Sequence, residues 1–290
     1  MNDSAMSKTV SINEHTAWEL IKALDPKNDP TSSICIKHDH NCEAWLQVLP
    51  SGSWKTSSLP SAEASQMFDI YLPIRIRPHL IIAQIGQSVD GRIATIEGES
   101  HYVTGPADIK RLHRLRALVD AVIVGAGTVA TDDPQLTVRH VDGPQPTRVV
   151  IDPNKRLSDD HKIFTDKSAT TIVIHRGAPP QDCPENVIYC PARESDQLDP
   201  TDIVNALRNR GYHRFLIEGG GITVSRFLDA GIVDRLHVAV APILIGSGHQ
   251  SFTLKPIPAI NDVPRPPCQI HTLGDDVLFD FNLQNKSSKP

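Results

Sequence analysis

From His79 to the end of the chain, short β-branched apolar runs alternate with segments of helical pattern, and this alternation limits the fold more than any other feature. The runs LIIAQI (80–85), AVIVG (121–125), RVVID (148–152), TTIVIH (170–175), RFLIEGGG (214–221) and RLHVAVAPILIG (235–246) read as strands, most of them buried on both faces. Between them, 105–118 reads as a helix. Pro106 suits its first turn, and Ile109, Leu112, Leu115 and Leu118 or Val119 share one face. Asp199 and Pro200 open a second helix that Gly211 closes, and TVSRFLDA forms a third, closed by Gly231. Two runs, 266–272 and 276–283, form a terminal hairpin around LGDD. The pattern predicts an α/β fold: a mostly parallel sheet flanked by helices, with a C-terminal antiparallel hairpin. Residues 78–290 form this domain, and residues 1–77 a small appendage ending between Pro73 and Pro78. The stretch PSGSWKTSSLPSAEAS in it reads as turn-like and weakly structured.

A net charge of −5 and a pI near 6.2 exclude a basic footprint for nucleic acid or an anionic membrane. No run is long and apolar enough to span a bilayer, and MNDSAMSKTV lacks the core of a signal peptide. Five scattered cysteines do not make a disulfide framework, so the expected compartment is the cytoplasm. Cys35, His38, His40 and Cys42 are zinc-binding types but crowd into one short segment. They are read as part of a surface hairpin or loop, with no metal. Cys183 and Cys190 have no histidine nearby.

The segment from Glu218 to Phe227, EGGGITVSRF, runs from a strand through three glycines into a helix. Backbone amides opened by glycine and set at a helix start attract phosphate, and ligands gather at the carboxyl ends of strands in an open α/β sheet. The bland alternative is a tight turn without a ligand. Gly125, Gly127 and Ala130 fit G-x-G-x-x-A after a strand, with Asp152 slightly late for the acidic partner. Asp132-Asp133-Pro134 cuts the following helix to about a turn, which argues against a true Rossmann unit. SVDGRIAT (88–95) alone is an ordinary loop. His113 and Arg116 share one side of the 105–118 helix and alone read as a solvated face.

Taken in order, SVDGRIA, GES-x-Y, LRA-x-x-DA-x-x-VGAGTV, DDP-x-LTVR, RVVID, IEGGG, AGIVDRL and AP-x-L-x-G-x-G resemble the pyrimidine reductase domain of riboflavin biosynthesis, over roughly residues 78–283. That family has a dihydrofolate-reductase-like fold. The resemblance implies hydride transfer from NADPH to C1′ of a 5-amino-6-(5-phosphoribosylamino)uracil-type substrate, giving the ribitylamino product. It assigns Gly86, Tyr102, Thr128, Asp132, Gly219, Gly220, Gly221, Ile222 and Thr223, with the segment running on to Arg226, to the cofactor. It assigns Ser100, Arg116, Leu136, Arg139 and Glu218 to the substrate. Arg116 and Arg139 are expected to clamp its phosphate, and Glu218 to accept from its amino groups or ribose hydroxyls.

No residue is required as a general acid. Asp90 and Gln84 are the only catalytic candidates, and Asp90 reads as shaping its loop. Gln84 stands where the family usually has lysine, and Tyr102 where it usually has tryptophan. Neither H-x-E nor P-C-x-x-C occurs in the N-terminal region, so no deaminase activity is expected. The family implies a homodimer. Two other readings stay open: a reductase of another pyrimidine or pterin-like substrate, and a non-catalytic dinucleotide-binding protein.

Overall fold

The computed structural model describes residues 11–27, 33–39, 42–192 and 198–284, without the side chains of 37–39, 42 and 43. The chain divides into two compact units, Met1–His79 and Leu80–Pro290.

The first unit holds α1 (Glu14–Ala23), an antiparallel sheet of β1 (Ser33–Asp39), β2 (Cys42–Val48) and β3 (Trp54–Thr56), and α2 (Ala62–Arg75). Both helices start at side-chain caps, Asn13 accepting from Thr16 N at 3.0 Å and Ser61 from Ala64 N at 3.2 Å. Trp18 and Tyr71 meet edge to face with centroids 5.9 Å apart. This unit corrects one expectation: the stretch read as weakly structured contains β3 and the start of α2. Pro73 lies inside α2. Burial of Phe68, Tyr71, Leu72 and Ile74 offsets the hydrogen bond that Pro73 forfeits. Cys35 is an exposed cysteine on β1, in no disulfide. His40 and the side chains of His38 and Cys42 lie outside the described residues.

The second unit is a sheet of nine strands: β4 (Leu80–Ser88), β6 (Ala121–Gly125), β7 (Thr147–Ile151), β8 (Thr171–His175), β9 (Val187–Pro191), β10 (Arg214–Ile217), β11 (Arg235–Ala241), β13 (Cys268–Leu273) and β14 (Asp276–Asn282). Their spatial order is 13-14-11-4-10-6-7-8-9. Pairing is parallel from β11 across to β9 and antiparallel in the β13–β14 hairpin and where it joins β11. This is the expected α/β architecture. The central runs are β-branched and buried on both faces, as parallel strands enclosed by helices must be. Two short strands, β5 (Arg92–Ala94) and β12 (His249–Gln250), pair beside the main sheet.

The helices of this unit are α3 (Pro106–Ala117), α4 (Ala126–Asp132), α5 (Lys162–Thr165), α6 (Pro200–Arg208) and α7 (Gly221–Asp229). The run read as a strand to 246 stops at Ala241 as β11. Pro242 offers no N–H to a ladder, and the Asp90 carboxylate takes the amides of Ile245 at 3.2 Å and Gly246 at 2.7 Å. Among the described residues, no helix is long and apolar enough to cross a membrane.

Candidate functional site

The carboxyl ends of β6, β7 and β10 open onto a cleft of about 1060 Å³. β10 turns at Gly219 (φ +101°) and enters α7 without a side-chain cap. The glycines are required by packing. A Cβ on Gly219 would sit 2.7 Å from Thr128 Oγ1, and one on Gly221 2.5 Å from the carbonyl oxygens of Gln250 and Ser251. Gly125, under the same loop, would carry a Cβ 2.5 Å from Thr223 Oγ1. Gly86 on β4 would carry one 2.9 Å from Thr104.

Of the three glycine amides, that of Gly220 is taken: its N–H donates to Thr128 Oγ1 at 2.9 Å. The amides of Gly219, Gly221 and Ile222 have no acceptor among the described residues. Two of these open the first turn of α7, where the helix dipole is positive. Gly86, Tyr102, Thr128, Asp132, Gly219, Gly220, Gly221, Ile222 and Thr223, assigned to a cofactor from sequence, all line this one cleft, as does Gln84.

A second cavity of about 360 Å³ is lined by Ser100, Arg116, Leu136 and Arg139, four of the five residues assigned to the substrate. Lys162 joins them, paired with Asp133 at 3.3 Å. Ser100 and Asp132 border both cavities and join each other, Ser100 Oγ donating to Asp132 Oδ1 at 2.8 Å. Glu218 borders neither. Its two oxygens accept from Arg116 Nε at 2.9 Å and Nη2 at 2.8 Å, and both side chains are buried. Both Glu218 oxygens are thus engaged by Arg116, which keeps N–H groups to spare and lines the cavity. Arg139 Nη1 donates to Thr137 Oγ1 at 2.6 Å. Desolvation, then the neighbouring Arg116 charge, lower the pKa of its guanidinium. Two cations held side by side at one cavity suit an anion.

His113 and Arg116 are not a solvated face: both are buried. His113 Nδ1 accepts the Arg139 N–H at 3.0 Å, which fixes the neutral tautomer with its proton on Nε2. Burial, then Arg116, hold its pKa down to about 3. His237 is likewise held to about 4 by burial, against the opposing pull of Asp280. Both folded values lie below the ordinary 6.5, so the unfolded chain takes up protons first as pH falls. Stability is expected to drop between pH 6.5 and 4, by about 2 kcal/mol per histidine at pH 5. Urea denaturation at pH 7 and pH 5 checks this, and equal midpoints would contradict it.

Asp90 borders neither cavity. It accepts from Ser88 Oγ and staples the 245–246 backbone, and the Ser88 hydroxyl is the largest of the causes that lower its pKa to about 2. Two cleft residues escaped the sequence reading. Arg156 lines the cleft and has no partner among the described residues. Gln250 and its neighbours close over the start of α7. Three of the four non-glycine residues with positive φ among the described residues line these cavities. Tyr102 (φ 63°) lines the cleft, and Asp133 (41°) and Leu136 (54°) line the small cavity. Lys155 (51°) sits between the cleft residues Asn154 and Arg156. Such strain, about 1–3 kcal/mol each, collects at functional sites. Among the described residues no group of three or more His, Cys, Asp or Glu could hold a metal.

A mostly parallel sheet, an uncapped helix start at its carboxyl edge and a nucleotide-sized cleft define an α/β domain whose site suits a phosphorylated ligand. Residues 79–279 match the model of the RibD C-terminal domain, and the chain belongs to that family. It is 32% identical over 221 residues to the 2,5-diamino-6-ribosylamino-4(3H)-pyrimidinone 5′-phosphate reductase of Methanothermobacter thermautotrophicus, covering 72% of this chain and 100% of that protein. The reductase of the same name from Archaeoglobus fulgidus is 31% identical over 191 residues, 62% of this chain and 86% of that one. Among solved structures, the Thermotoga maritima diaminohydroxyphosphoribosylaminopyrimidine deaminase/5-amino-6-(5-phosphoribosylamino)uracil reductase superposes with a TM-score of 0.61 at 25% identity. That match covers 76% of this chain, which spans only 61% of the bifunctional protein.

Proposed function

We propose that this protein is an NADPH-dependent reductase of riboflavin biosynthesis. It reduces the ribosyl C1′ of a 5-amino-6-(5-phosphoribosylamino)uracil-type substrate to the ribitylamino product. The observation that carries the reading is the sorting of residues: the cofactor set lines the cleft and four of the five substrate residues line the adjoining cavity, the two sharing Ser100 and Asp132. Relatives covered over most or all of their length are named as reductases of such a pyrimidine.

The cleft fits a dinucleotide. The free amides of Gly221 and Ile222 would hold its diphosphate, and the buried, unpartnered Oδ1 of Asp152 suits a ribose hydroxyl. Arg156, an exposed guanidinium without a partner among the described residues, suits the 2′-phosphate that distinguishes NADPH from NADH. A bound NADPH supplies the hydride. Arg139 and Arg116 hold the substrate phosphate, Glu218 keeps Arg116 aimed, and the Ser100–Asp132 pair lies where the two ligands meet. A cytoplasmic homodimer that needs neither membrane nor nucleic acid belongs to the same reading. The dimer follows from the family resemblance, the compartment from the scattered cysteines, and the want of a nucleic-acid partner from the acidic pI.

Steady-state assays on two variants test the sorting. Arg139→Ala is expected to raise the KM for the pyrimidine phosphate at least tenfold, with NADPH affinity within about twofold of wild type. Arg156→Ala is expected to weaken NADPH about tenfold, leaving NADH and the pyrimidine unchanged. Equal loss of both ligands in either variant would contradict the assignment.

A further inference from the structure

Gln84 lies on the central strand β4, is 8% exposed, and still lines the cleft. Its Oε1 accepts from Arg111 Nη2 at 2.8 Å. Arg111 is 1% exposed and stands behind the cleft wall, where Nε donates to Asp108 Oδ1 at 2.7 Å and Nη1 to His237 Nδ1 at 2.9 Å. His237 Nε2 lies 3.2 Å from Asp280 Oδ1, and Asp280 Oδ2 accepts from Arg235 Nη2 at 2.6 Å. The chain of contacts fixes Arg111 from several sides. A guanidinium carries donors only, so Gln84 can meet it only through oxygen. The other end of the amide, Nε2, has no acceptor among the described residues and is the end left for the cleft.

We propose that Gln84 determines specificity in this cleft and that Arg111 is its positioning residue. Together they present a neutral N–H donor to a ring-borne carbonyl oxygen of a bound ligand. The inference rests on the reductase reading and deepens it. Both the carboxamide of a nicotinamide and a ring carbonyl of the pyrimidine offer that oxygen. An ammonium at residue 84 would instead face the Arg111 guanidinium with like charge and could not accept its N–H.

The test uses the full chain, the pyrimidine phosphate in its 2-amino and 2-oxo forms, and NADPH binding by fluorescence titration. Gln84→Glu keeps the Arg111 contact but turns a carboxylate oxygen to the cleft. It is expected to raise either the pyrimidine KM or the NADPH Kd about tenfold, and the constant that moves names the partner. Arg111→Lys keeps a charge for Asp108 but is too short to hold Gln84. It is expected to raise the same constant in the wild-type background and not further in Gln84→Met. Additive losses in that double variant would overturn the role given to Arg111. Wild-type constants in both Gln84→Glu and Gln84→Met would overturn the proposal and leave the reductase standing. A wild-type protein inactive on both pyrimidines would overturn the reductase reading and this inference together.

Discussion

Replacing Glu218 by alanine is expected to lower stability by about 3–5 kcal/mol and to cost most of the affinity for the phosphorylated substrate. The loss comes from what is left behind. Arg116 is buried, and its Nε and Nη2 would both lose an acceptor at once. Its remaining contact, Nη1 to the Thr137 carbonyl at 3.2 Å, cannot neutralise a charge. In thermal melts the midpoint should fall on the order of 10 °C for a domain of this size. Glu218→Gln, which keeps one acceptor, should lose roughly half as much. The paired change Arg116→Met with Glu218→Leu separates the two roles. Removing both charges should restore much of the stability, since apolar replacement of a buried ion pair is often neutral. Substrate affinity should stay lost, because the cavity then keeps only Arg139 and Lys162, the latter paired with Asp133, opposite the phosphate. A Glu218→Ala protein with an unchanged melt would show that the pair is not closed in solution.

The second large effect is at the glycine loop, and it should differ sharply between neighbours. Gly221→Ala places a Cβ 2.5 Å from two backbone oxygens, Gln250 and Ser251, neither of which can rotate away. The 250–253 segment must shift, and with it the start of α7. Loss of cofactor affinity of at least a hundredfold is expected, with destabilisation of about 1–3 kcal/mol. Gly219→Ala adds left-handed strain at φ +101° to contacts with Thr128 and should behave similarly. Gly220→Ala should be nearly silent, because its φ is ordinary and the nearest atom, Thr128 Oγ1, is 3.4 Å away. Equal tolerance of all three, read as NADPH Kd by titration, would contradict the packing argument.

These contrasts show which parts of the molecule were legible in the sequence. AVIVG and TTIVIH announce buried strands because β-branched residues without polar interruption suit a parallel sheet covered on both faces. The phosphate-binding loop is local: strand, glycines and helix start are contiguous, so one short segment carries the whole signal. The Arg116–Glu218 pair spans 102 residues, and nothing near either residue reveals it. His113 and Arg116 of α3 read as solvated because such types seldom go inside, yet their partners are Glu218 and the 137–139 backbone. Asp90 ended a strand read as continuous by taking amides more than 150 positions away in the chain. The first unit stayed hidden for a different reason: its Ser- and Pro-rich stretch supplies helix caps and turns that resemble linker composition. The family match begins at residue 79 and leaves that unit outside it.

A crystal structure of the protein grown with NADPH bears most directly on the account. The diphosphate should lie against the backbone amides of Gly221 and Ile222, with the nicotinamide end toward Ser100 and Asp132, where the two cavities meet. A dinucleotide whose diphosphate lies away from the start of α7, or a protein that takes up none, would contradict it.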